Sequence, residues 1–182
     1  MNNFKVPGQE PLTMKRAGIT FLILSLLIAS ACKVNYSFTG ASVSPNVKTI
    51  SIHYFPNNAS MVVPTLSRVF TDALRDYFTS QTNLVLVDNN GDLDIEGSIT
   101  GYSVQPISIQ GNETAASNRL TIIVKVNFSN KTNEKQNFKD ITFSRYLDYP
   151  SSQSLNTIQD QYISEISDQL IQDIFNKTVV NW

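Results

Sequence analysis

Apolar and polar residues alternate with a period of two over four stretches of the chain. Two other stretches repeat every three or four residues. Lys48 to Phe55, KTISIHYF, puts Ile50, Ile52 and Tyr54 on one face and Thr49, Ser51 and His53 on the other, a half-buried strand closed by Pro56 and Asn57-Asn58. From Pro64 to Ser80 the period changes. Leu66, Val69, Phe70, Ala73, Leu74, Tyr77 and Phe78 form one stripe of an amphipathic helix, with Arg68, Asp72, Arg75 and Asp76 opposite. Pro64 suits a first helical position, and Arg68 and Asp72 stand at i,i+4 spacing.

Alternation returns at Asp92 to Val104. Leu93, Ile95 and Ile99 point inward, Asp94, Glu96, Ser98 and Thr100 outward, and Gly97 and Gly101 mark a bulge or a close approach. Arg119 to Phe128 is the clearest strand: Leu120, Ile122, Val124, Val126 and Phe128 share one face, Arg119, Thr121, Ile123, Lys125 and Asn127 the other. Phe138 to Tyr149 reads as a further strand after a polar hairpin connection at 130–137, and Leu155 to Val179 carries a long helical stripe from Leu155 through Ile158, Tyr162, Ile166, Leu170 and Ile174 to Phe175. The order is β-α-β-β-β-α, with a small extra strand open at 84–87. Two helices with one apolar stripe each cover one face of a mainly four-stranded sheet, so the expected fold is a two-layer α+β sandwich whose other sheet face stays polar.

Upstream of this domain, residues 19–31 read ITFLILSLLIASA, an uncharged run too short for a spanning helix, which needs about 20 residues. Lys15 and Arg16 precede the run and Cys32 follows it. A basic start, a short apolar core and small residues at its end describe an export signal over residues 1–31, with Met14 as an alternative start. Cys32 is the only cysteine. It could be a core thiol, a stray thiol of a secreted chain, or an attachment point for lipid. Ala29-Ser30-Ala31-Cys32 resembles a bacterial lipobox, departing from it where Ala29 stands in the position most often held by Leu. The resemblance implies acylation of Cys32 and a lipidated tether over residues 32–46, and the length that follows, residues 47–182, suits a single domain. Two or more acyl chains make a stable membrane anchor, and nothing after Cys32 argues against the periplasmic face of the outer membrane.

Charge and candidate chemistry narrow the picture. The chain has 14 Lys and Arg against 15 Asp and Glu, which disfavours nucleic acid as a partner. His53 is the only histidine, so no histidine-based metal cluster is expected, and no cofactor. Asp92, Asp94 and Glu96 alternate along one face and could mimic an acid/base pair, but no third group orients them, and a solvated outer face explains them better; no catalytic residues and no enzyme are expected. Arg119 and Lys125 project from the same side of one strand. Six residues place them about 20 Å apart, wide enough to meet separate anionic groups of a large amphiphile. Arg145 could extend this patch, or pair with Asp148 or Glu96.

These pieces together resemble the lipopolysaccharide-assembly lipoprotein family LptE. The resemblance rests on the order of CKVNYSFTGAS after the leader, the YFPN strand end, the EGSITGY strand and the SRY–YPSSQ segment before the last helix. It implies a small α/β sandwich, lipidated at the outer membrane, that plugs a large outer-membrane β-barrel, supports its assembly and binds lipopolysaccharide in transit to the surface. It also implies a binding role for basic sheet residues, here Arg119 and Lys125 by position, and no enzymatic activity. The other reading of the same residues is a stand-alone envelope lipoprotein that binds a glycan or a peptide. Both readings share the anchor: Cys32→Ala should abolish incorporation of labelled fatty acid into the protein, and labelling that persists in the variant would refute lipidation at this site.

Overall fold

The structure is a computed structural model that describes residues 43–107 and 116–180. Cys32, the leader 1–31 and the tether as far as Ser42 lie outside the described residues. The elements follow as β1 (Thr49–Ile52), α1 (Leu66–Gln81), β2 (Val85–Val87), β3 (Leu93–Ile107), β4 (Ser117–Asn130), β5 (Phe138–Pro150) and α2 (Leu155–Phe175), the last running on into a π-helical turn at Asn176–Val180. The strands form one mixed sheet in the order β2-β1-β3-β4-β5. β1 runs parallel to both β2 and β3, while β4 is antiparallel to β3 and β5. The α+β sandwich is as the sequence pattern implies, with the short segment at 85–87 adding a fifth strand at one edge.

The core lies between this sheet and the two helices. Leu120, Ile122, Val124 and Val126 are fully buried and Phe128 nearly so, facing Leu66, Phe70, Leu74 and Phe78 of α1 and Ile166, Leu170 and Ile174 of α2 in one hydrophobic cluster. Phe175 joins the helices through edge-on contacts with the rings of Tyr77 and Phe78. Truncating a buried ring such as Phe70 to Ala would cost about 3–5 kcal/mol.

Several local readings change once the chain folds. The β1 ladder stops at Ile52 because the next residues leave strand geometry: Phe55, not Tyr54, turns into the core, where its N–H donates to Thr71 Oγ1 at 3.1 Å and its ring lies 5.2 Å from Phe70. Tyr54 is left exposed. Gly97 permits this exchange, since a Cβ there would lie 2.6 Å from the Phe55 ring. Pro64 precedes the cap residue Thr65 instead of opening α1. Arg75, read as an outer-face residue, folds back so that Nε and Nη2 both donate to the carbonyl of Ile52, satisfying an acceptor that the end of β1 leaves open. The α2 stripe is wider than the sequence pattern implies, because Ile163, Ser167 and Ile171 are buried as well.

A tight connection explains why Ser51, expected on the open face, is fully buried. β2 and β3 are both parallel to β1 and flank it, with Ile50 level with Leu86 on one side and with Leu93 on the other. Residues 88–92 therefore pass straight across β1 on the side away from the helices. Gly91 lies on the β1 backbone, where a Cβ would come within 2.5 Å of the Ser51 nitrogen, and its own N–H donates to Ser51 Oγ at 3.1 Å. Asn90 turns the strap with φ 60°. In β3, a bulge between Ile99 and Gly101 shifts the phase, so that Tyr102 faces the core, and Gln159 of α2 donates to its hydroxyl at 2.8 Å.

The hairpin between β4 and β5 is organised by Asn130, which is fully buried. Its side-chain carbonyl accepts from the N–H groups of Thr132 and Asn133 and from the Thr132 hydroxyl, and its amide donates to Gln136. Asn130→Ala removes all of these hydrogen bonds at once. It should lower the unfolding free energy by about 2–3 kcal/mol, read as an earlier urea midpoint at unchanged slope. An unchanged midpoint would show that the hairpin is not held in this way.

Candidate functional site

Among the described residues, the side of the sheet away from the helices is covered only at β1, by the strap at 88–92. Across β3, β4 and β5 it presents a field of polar side chains, and most of the candidate residues lie there. Register fixes who meets whom. Glu96 stands opposite Asn127, Ser98 opposite Lys125, and Arg119 between Gln105 and Asp148.

Arg119 is not a free cation. Its Nε and Nη2 donate to the two carboxylate oxygens of Asp148 at 2.8 and 2.9 Å, a fork-to-fork pair. Its guanidinium carbon lies 3.7 Å from the centre of the Tyr146 ring, a cation–π arrangement. The bond to Asp148 raises the arginine above its ordinary value, and the same bond holds the Asp148 carboxyl below the usual carboxylate range. An anionic ligand at this point has to displace or share Asp148. Lys125 is held more loosely: its ammonium lies 3.8 Å from Asp140, and both side chains are about half exposed.

Arg145 does not extend the patch. It pairs in register with Ile122, which faces the helices, so it projects to the opposite side of the sheet. There its Nε and Nη2 donate to both oxygens of Asp173 on α2, each at 2.6 Å. Neither Asp148 nor Glu96 is its partner. The even spacing of strand side chains decides this, because a residue opposite a core position cannot share the face of Arg119.

The acidic row is divided among different tasks. Asp92 accepts the N–H groups of Lys48 and Thr49 at 2.8 and 2.9 Å and the Thr49 hydroxyl at 3.0 Å. It ties the strap to the start of β1. Asp94 accepts from the Ser51 hydroxyl and lies 3.0 Å from His53 Nε2. A serine, a histidine and an aspartate thus meet, but the hydroxyl is bonded to the carboxylate and not to the imidazole, so no base is placed to activate it. Glu96 accepts from the Asn127 amide at 3.0 Å, and the Asn127 carbonyl accepts the Asp140 N–H at 2.7 Å. Among the described residues no group of three or more His, Cys, Asp or Glu side chains is gathered for a metal ion. No helix among them is long and apolar enough to cross a membrane.

Sequence reasoning placed Arg119 and Lys125 on one face and did not find the depression between them and β1. His53, Tyr54, Glu96, Ser98, Lys125 and Asp140 line an open concavity of about 360 Å³. Tyr54 reaches it only because Phe55 takes its place in the core. Asp140 reaches it because its backbone adopts φ 55° where the β4–β5 register slips. Neither event has a period that could be read from the chain.

A family model described as "LptE: Lipopolysaccharide-assembly" matches residues 47–178, more than two thirds of the chain. No curated protein matches it. Among solved structures, the chain is similar to a minor lipoprotein from Acinetobacter baumannii, with 17% identity over 72% of this chain and 91% of that one and a TM-score of 0.43. It is also similar to the uncharacterized lipoprotein B from Nitrosomonas europaea, with 13% identity, 70% and 79% coverage and a TM-score of 0.42. A PelC dodecamer from Paraburkholderia phytofirmans shows 8% identity, 71% and 92% coverage and a TM-score of 0.40.

The hydrogen bonds to Asp92, that from the Lys48 backbone first, hold its carboxyl below the usual carboxylate value. The folded state therefore binds this proton less readily than the unfolded chain. The resulting stabilisation is present above about pH 4 and is lost as the pH falls through the depressed folded value. Asp92→Asn should lower stability at pH 7, and the gap from the parent protein should close as the medium is acidified below about pH 4. A gap that stays constant from neutral pH into strong acid would assign Asp92 no such role.

Proposed function

The chain belongs to the LptE family of lipopolysaccharide-assembly proteins, and from that membership we propose that it is a lipid-anchored outer-membrane component that seats in, and supports assembly of, the lipopolysaccharide-transport β-barrel while binding lipopolysaccharide on its way to the surface. The family match over residues 47–178 is the observation that carries the reading. The anchor is Cys32, which places the domain at the periplasmic face of the membrane. The domain has no catalytic role in this scheme.

Two features of the fold support the reading. A body lodged in a barrel meets a wall of polar side chains, because the interiors of outer-membrane barrels are polar. The open sheet face meets that requirement with carboxylates, amides and hydroxyls that protrude from a rigid hydrogen-bonded ladder, while Leu120, Ile122, Val124, Val126 and Phe128 of β4 turn to the core. Acyl chains at Cys32 would keep the domain near its partner and raise its effective concentration there.

On this reading Arg119 and Lys125 receive anionic groups of lipopolysaccharide. Lys125 is the readier of the two. Arg119 must first exchange Asp148 for the ligand, a substitution of one charge-assisted pair for another. The protein purified from membranes in mild detergent should come out together with a large β-barrel protein; recovery as a monomer would favour the stand-alone binder. Lys125→Asp and Arg119→Asp should each weaken retention of lipopolysaccharide by roughly tenfold, about 1.4 kcal/mol, with barrel association intact. Undiminished retention in both variants would remove these residues from the site.

A further inference from the structure

We propose that the concavity lined by His53, Tyr54, Glu96, Ser98, Lys125 and Asp140 is a saccharide subsite that takes a pyranose ring, with Tyr54 as the surface on which the ring stacks. Its volume of about 360 Å³ is at the lower end of the range of about 300–1,000 Å³ for ligand sites. That size suits one or two sugar units better than an acyl chain.

The lining selects the chemistry. A pyranose offers an apolar face of C–H groups and a rim of hydroxyls that both donate and accept. Tyr54 is 55% exposed, although it follows a strand whose pattern would bury it. An aromatic ring exposed at the surface can take the apolar face of a sugar. Glu96 and Asp140 supply planar carboxylates for neighbouring hydroxyls, and Lys125 supplies a donor. These groups are positioned but not used up. Asn127, itself part of the lining, donates to one oxygen of Glu96 at 3.0 Å and accepts the backbone N–H of Asp140 at 2.7 Å, which positions both acids. The Lys125–Asp140 separation of 3.8 Å leaves each charge room for a ligand oxygen. Ser98, small and opposite Lys125 in register, keeps the floor low.

The same lining disfavours other occupants. A compact phosphate alone inside the concavity would face the carboxylates of Glu96 and Asp140, so the anionic group that Lys125 receives on the export reading approaches from the mouth. A bare cation would face Lys125. A hydrocarbon chain would strand charges of both signs. A neutral polyol carrying donors and acceptors at its rim satisfies all of them. Arg119, about 20 Å along β4, is too distant to touch the same sugar unit, so a molecule that carries both sugars and anionic groups could span the face. The identification of that molecule as lipopolysaccharide rests on the export reading above; the sugar chemistry does not.

The test uses the full processed protein in detergent and saturation-transfer NMR with two glycans. One is the core oligosaccharide of lipopolysaccharide freed of lipid and phosphate; the other is peptidoglycan glycan strands without peptide. Transfer to the core oligosaccharide, with Kd of about 1 mM, supports the subsite with lipopolysaccharide as its source. Transfer to the peptidoglycan strands alone supports the subsite and assigns it that other source. Tyr54→Ala and Glu96→Ala should each weaken binding by roughly tenfold. Tyr54→Phe, which keeps the ring, should retain binding, and so should Arg68→Ala on the outer face of α1. Transfer to neither glycan, or Tyr54→Ala binding as the parent does, would overturn the proposal. Loss of barrel co-purification with sugar binding intact would instead count against the export reading and leave the subsite standing.

Discussion

Everything on the open face depends on the register of β4. This strand pairs along its length with β3 on one side and β5 on the other, and its side chains alternate without a break between core and surface. A slip by a single residue would send Leu120, Ile122 and Val124 into water and Arg119, Thr121 and Lys125 into the core. The burial of five large apolar side chains, each worth about 1.5–3 kcal/mol, makes such a slip prohibitive. The same energy that holds the helices on one side therefore fixes the positions of Arg119, Lys125 and Asn127 on the other. A polar surface set out this rigidly loses little entropy when it meets a partner.

The surface is also electrostatically quiet. Arg119 closes on Asp148, Lys125 leans toward Asp140, and Arg145 is drawn to the helix side by Asp173. These are exposed or half-exposed pairs that add little to stability. Their effect is on recognition. A face on which Arg119 and Lys125 each stand beside an acid attracts polyanions less, and a ligand there gains only the difference between its own contact and the pair that it replaces. Such a face favours a ligand with several kinds of group at the right spacing over one with charge alone.

The layers of the fold were legible because they follow periods. The two-residue period of β4 and the stripe Leu66, Phe70, Leu74, Phe78 of α1 predict the same core that the structure shows. The departures come where geometry has no period. Tyr54 and Phe55 exchange roles because the chain leaves the ladder at the end of β1, and the missing side chain of Gly97 receives the Phe55 ring. Ser51 is buried by a strap that belongs to a later stretch of the chain. Arg145 looks like its basic neighbours in sequence, and only the pairing with Ile122 reveals the face that it occupies. The candidate concavity arises from two such departures, Tyr54 and Asp140, and so was not visible in the pattern. The family resemblance depended on short motifs in a fixed order, which survive even where individual contacts cannot be inferred.

The strap over β1 has a mechanical consequence. Chain leading in from the tether enters β1 at Lys48 and Thr49, and there the Asp92 carboxylate grips both backbone N–H groups. Parallel strands lie on either side of β1 and the strap crosses over it. A tug on the N-terminal side of Val47, such as thermal motion of a membrane around an anchored cysteine would exert, is met by the buried Val47 side chain and then by this clasp. It loads several bonds together along the strand, whereas a hairpin at a sheet edge would unzip bond by bond. The domain is thus reinforced at the point where a leash to the bilayer would pull.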